Sequence, residues 1–122
     1  MLFLLQTLSR DNGPIYTETN LDQLIVEPWN AASAIIFVFI ALYWLVRLKN
    51  QIRQHIFLYV SSWILLIGGV GGFLYHAFRV SEVFLTMDWV PIAILSLAGS
   101  GFFFYQFTGK TWAGIIWLIG AF

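Results

Sequence analysis

Apolar residues run along this chain in four long blocks separated by short polar stretches. Trp29 to Leu48 holds one charge, Arg47, at its far end, and Ile56 to Tyr75 holds none. Asp88 to Phe107 carries no charge after its first residue, and Trp112 to Phe122 carries none. A helix rising 1.5 Å per residue needs about 20 residues to cross the hydrocarbon core of a bilayer. The pattern therefore predicts membrane-spanning helices over 29–48, 56–75 and 88–107. The block 112–122 reaches roughly 16 Å, about half a crossing, and reads as the first half of a truncated fourth span. The opening Met1–Leu8 is apolar too, but it is short and lacks a basic flank, so an interfacial segment fits it better than a signal peptide.

Composition strengthens this reading. Of 122 residues, 60% are hydrophobic, 19% aromatic and 10% charged. Soluble domains carry about 25% charged residues, and disorder requires low hydrophobicity with high charge, so both classes are excluded. The fold class expected is all-α: a polytopic transmembrane helix bundle forming a single domain over 1–122, the N-terminal portion of a larger one. Six basic and six acidic residues cancel, so no basic surplus points to nucleic acid. Cysteine is absent, which removes disulfides, thiolate metal sites and thiol nucleophiles.

The charges also suggest an orientation. Arg47, Lys49 and Arg53 cluster between the first two blocks, and Lys110 lies between the third and fourth. The positive-inside rule places these loops in the cytoplasm and the N-terminus outside. The acids Asp11, Glu18, Asp22, Glu27, Glu82 and Asp88 fall in or beside the outer segments. Trp29, Trp89 and Trp112, near predicted span ends, fit an aromatic belt.

Three clusters could carry chemistry. In the first, Glu18, Asn20, Asp22 and Glu27 lie in one short stretch. Glu27 before Pro28 suits a helix N-cap, with Pro28 at the first helical position. The same oxygens could instead bind a hard cation such as calcium, although the spacing is not that of an EF-hand. In the second, the glycine-rich run Gly68-Gly69-Val70-Gly71-Gly72 leads to Tyr75-His76. The glycines suit close helix approach. His76, at a span boundary, is either a zinc ligand or proton carrier, or an interfacial histidine bonded to a backbone carbonyl. In the third, Asp88 precedes Trp89-Val90-Pro91. It either caps the third helix or faces into the bundle as a carboxylate near a metal-activated water. His55 lies in the basic loop, away from His76, and Arg79 and Glu82 are spaced to pair.

In order and placement these clusters resemble the alkaline ceramidase family, part of a superfamily of seven-span membrane hydrolases that includes the adiponectin receptors. The matching pieces are Tyr16-Thr17-Glu18-Thr19-Asn20 through Glu27-Pro28-Trp29-Asn30-Ala31-Ala32-Ser33, Gly71-Gly72-Phe73-Leu74-Tyr75-His76-Ala77, and Asp88-Trp89-Val90-Pro91-Ile92. The resemblance covers Tyr16 to Ile92 and its wording is closer to the bacterial branch. It implies part of a seven-helix amidohydrolase of a bacterial cell membrane, acting on the N-acyl bond of ceramide-like membrane lipids. It further implies zinc as cofactor, with His76 as one of three histidine ligands and Asp88 as the catalytic carboxylate that orients or deprotonates water. A calcium site would use Glu18, Asn20 and Glu27, with Asp22 as a substitute acid, because Ile15 stands where the family has a carboxylate before Tyr16.

Two departures matter. Gly72 stands where the family has a serine that stabilises the reacting oxyanion. The chain also has only two histidines, His55 and His76, whereas a catalytic zinc takes three protein ligands. The other ligands would come from a missing C-terminal half or a partner chain. Two other readings remain open: a small non-enzymatic four-helix protein, either transporter or assembly subunit, and a lipid-binding relative without catalysis.

Overall fold

The computed structural model describes residues 13–120; the opening Met1–Leu8 and the last two residues, Ala121 and Phe122, lie outside the described residues. The described chain is all-helical: α1 (Pro28–Leu48), α2 (Ile56–Phe78), α3 (Glu82–Thr108) and α4 (Thr111–Gly120), with no strand among the described residues. The first three are each long and apolar enough to cross a membrane. Large apolar side chains face outward along them, with Phe39 67%, Phe103 69% and Trp29 79% exposed. In water such a surface would aggregate; against acyl chains it costs nothing.

With lipid outside, burial of greasy side chains cannot drive the helices together, and close backbone packing takes over. The buried positions include Ala31, Ala34 and Ala41 on α1 and Ser62, Gly68, Gly69, Gly71 and Gly72 on α2; Gly69 faces α1, whereas Gly68 and Gly71 face Pro91 and Met87 of α3. α2 is the central element: α1 packs on one side of it, α3 on the other, and α4 lies against α3. Gly69 sits so close to α1 that a Cβ there would stand 3.0 Å from Val38 N and 3.2 Å from Ala34 O. Gly72 faces Asp88 of α3, and a Cβ there would collide with Asp88 Oδ1.

Helix ends differ from the sequence expectation in ways that bear on the site. α2 runs past Tyr75 to Phe78, which places His76 in its last turn. It stops at Arg79, whose backbone is left-handed (φ 49°) and whose N–H donates to Tyr75 O at 2.8 Å. α3 starts six residues earlier than predicted, at Glu82 rather than Asp88, because Ser81 supplies the N-cap: its hydroxyl accepts the Val83 N–H at 3.2 Å. Glu82 in the first turn suits the helix dipole. Asp88 is thus not a cap, and Pro91 lies inside the helix rather than in its first turn. Proline has no N–H to offer Met87 O four residues back.

Candidate functional site

The site is assembled at the end of the bundle where α1 begins and α2 ends. Helix termini leave backbone groups without helical partners, and here the segment 13–27 meets them. Val26 N–H donates to Ala77 O and Glu27 N–H to His76 O, each at 3.0 Å. The segment is therefore laid along the last turn of α2. Its middle is tied as well. Both oxygens of Glu18 accept N–H groups at the start of α1, from Trp29 at 2.8 Å and Asn30 at 2.9 Å. Glu27 occupies the N-cap position of α1, yet its side chain makes no capping bond; Glu18 provides that function from eleven residues upstream.

Glu27 is turned inward instead, and it is completely buried. Its Oε2 lies 2.5 Å from His76 Nδ1. Its Oε1 accepts from the Thr19 hydroxyl at 2.6 Å and from the Arg79 guanidinium at 2.7 Å. Burial alone would raise its pKa. The bonds from Thr19, Arg79 and His76, together with the Arg79 charge, outweigh burial and hold the carboxyl below the usual carboxylate range. Glu27 is thus an anion held among donors. The Tyr16 ring meets His76 edge-on, with centroids 5.7 Å apart. Partial burial and the neighbouring carboxylates Glu27 and Asp88 push the Tyr16 phenol up.

On its other face, His76 Nε2 lies 3.5 Å from Asp88 Oδ2, longer than a formed hydrogen bond. Both side chains line a cavity of ≈ 60 Å³ over the glycine face of α2. Asn30 and Ser33 give it a polar edge, and Phe37, Leu65, Ile92 and Leu95 give it apolar walls. The volume suits water-sized occupants.

The arrangement of His76 fits a metal ligand in one respect. Such histidines bind metal through one ring nitrogen while the other donates to a carboxylate. Nδ1 is committed to Glu27, leaving Nε2 as the ligating atom. The rest of a donor set is lacking among the described residues, where no three His, Cys, Asp or Glu side chains come together to hold a metal ion. His55 is exposed at the start of α2, about 30 Å from His76 along that helix.

The four residues considered for calcium are differently placed. Glu18 binds the start of α1, Asn20 Oδ1 accepts the Asp22 N–H at 3.1 Å, and Asp22 is exposed. Glu27 already faces a guanidinium, which repels a divalent cation. Sequence reasoning noted that Arg79 and Glu82 are spaced to pair, but it found neither the bond from Arg79 to Glu27 nor the one from Thr19. Arg79 is 52 residues from Glu27, and no local pattern marks a pair at that distance. Comparison with protein-family models, curated proteins and solved structures finds no match to this chain.

Proposed function

We propose that this chain contributes part of the active site of a zinc-dependent membrane amidohydrolase that cleaves the N-acyl bond of ceramide-like lipids. The observation that carries the proposal is the oriented histidine: buried Glu27 holds His76 by Nδ1, and Nε2 turns toward Asp88 over the cavity. In this reading Nε2 of His76 would be the atom that ligates the metal, with Glu27 holding the ring by Nδ1. Two further ligands come from additional chain or from a partner. When bound, zinc supplies Lewis acidity toward water and the amide carbonyl. Asp88 Oδ2 takes the proton of the attacking water and passes it to the leaving amine. The apolar bundle would admit the acyl chain from the bilayer, alongside a cavity that itself holds only water-sized groups. The N-terminus lies outside a bacterial cell membrane, as the basic loop 49–55 favours.

The test uses protein extracted from its native membrane. Its intact mass, compared with 14.0 kDa for this chain, tells whether the other ligands lie on the same polypeptide. Zinc content and release of fatty acid from a ceramide are then measured for wild type and His76→Ala. Both are expected to be lost in the variant; unchanged release would refute the reading. Gly72 favours a second reading, a lipid binder without turnover, because it offers no hydroxyl to a reacting oxyanion. Ceramide binding without hydrolysis in zinc-loaded wild type would select it.

A further inference from the structure

Arg79 holds an uncommon position. Among the described residues it is the one non-glycine residue with positive φ, a conformation that glycine commonly adopts after a helix. Its side chain is 1% exposed. NH1 donates to Pro14 O at 2.6 Å and to Glu27 Oε1 at 2.7 Å, and the guanidinium lies 5.0 Å from the Tyr75 ring centroid. One buried cation thereby joins both ends of the segment 13–27 to the end of α2. Its oxygen partners, a carboxylate and a backbone carbonyl from distant points of one segment, are the types a bound calcium ion gathers.

We infer that Arg79 is a built-in cation that fastens the segment 13–27 and, through Glu27, positions His76, so that this acidic segment needs no calcium to do so. The physical reason is electrostatic. A guanidinium fixed on α2 neutralises Glu27 permanently, and a dication beside it would be repelled by a charge that cannot be deprotonated. The left-handed backbone at Arg79 fits this role, because it ends α2 and folds the side chain back under the segment. The inference does not depend on the hydrolase reading, since it concerns how the histidine is held and not what it does.

The test uses the whole protein in detergent, labelled with ¹⁵N-histidine and prepared without calcium. His55 and His76 are the two histidines of the chain, so a His55→Asn variant assigns the signals. His76 is expected to show a strongly downfield Nδ1 proton, unchanged by millimolar calcium. Arg79→Met is expected to lose that signal and to speed amide exchange over 13–27 by roughly a hundredfold to a few thousandfold, the scale of a broken buried ion pair. A wild-type protein whose His76 signal shifts, or whose segment exchange slows, on adding calcium would overturn the inference, and that arm requires no variant to fold. Retention of the downfield proton in folded Arg79→Met would overturn it equally.

Discussion

Glu27 and His76 meet twice. The Glu27 N–H donates to the His76 carbonyl at 3.0 Å, and the Glu27 carboxylate lies 2.5 Å from His76 Nδ1. The backbone contact fixes how far along α2 the segment sits, and the side-chain contact fixes the ring. An imidazole held at both points has one tautomer and one orientation, with Nε2 presented to Asp88. Such pre-orientation is what a histidine needs to act as a ligand or a proton carrier.

The burial of Glu27 makes its removal costly. Glu27→Gln keeps the volume but strips the counter-charge from buried Arg79. Breaking one side of a buried pair costs about 3–5 kcal/mol. Arg79→Met added to Glu27→Gln should recover part of that loss, because the second change removes the stranded charge. Reversible denaturation in mixed micelles, run as a double-mutant cycle, measures the coupling. Additive losses would show that the two residues act separately.

Neighbouring glycines of α2 should respond differently to the same methyl group. A Cβ at Gly71 meets Met87 Cβ and backbone, whereas one at Gly72 meets the carboxylate end of Asp88. Backbone cannot step aside, so Gly71→Ala should separate α2 from α3 and cost about 1–3 kcal/mol, the range for overpacking. The Asp88 side chain can rotate away, so Gly72→Ala should leave stability near wild type while moving Asp88 off His76. The paired readouts are unfolding free energy and the His76 ¹⁵N signal. The reverse pattern would refute the packing described here.

The spans were legible because a run of about 20 apolar residues has few alternatives to crossing a membrane. Their ends were less so. Glu82 to Met87 extends α3 at its start, and the signal for it, Ser81 followed by Glu82, is a short cap motif that hydropathy does not register. His76 was visible as a polar residue closing an apolar run, and Asp88 as an acid beside a proline. What joins them was not visible. Glu27 lies 49 residues from His76 and 52 from Arg79, and only the antiparallel return of α2 brings them together. The N-cap of α1 misled for a related reason: Glu27 holds the right position, but a buried histidine and arginine compete for its carboxylate, and Glu18 takes over the capping bonds.

Glu18 gives a prediction of its own. Its carboxylate accepts two N–H groups that α1 cannot satisfy internally. Glu18→Ala should cost about 0.5–2 kcal/mol, the range for losing an N-cap, and should loosen 13–27 without unfolding α1. Hydrogen exchange read by mass spectrometry should show faster exchange at Trp29 and Asn30 and no change in the middle of α1. Equal acceleration throughout α1 would mean that Glu18 supports the whole helix and not its first turn.

Acid should release the segment from the bundle. The folded carboxyl of Glu27 lies below its ordinary value of 4.5. The unfolded state therefore binds the proton first as pH falls, and stability declines with falling pH through that window. The contribution is complete above about pH 4.5 and lost once the folded carboxyl is itself protonated. Other acids titrate nearby, so the measurement is the gap in stability between wild type and Glu27→Gln from neutral to acid pH. The gap should be widest at neutral pH and should narrow below about 4.5 as wild-type Glu27 becomes neutral like its glutamine replacement. A gap that stays constant or widens in acid would mean that Glu27 is not charged in the folded protein, and the buried pair with Arg79 would have to be abandoned.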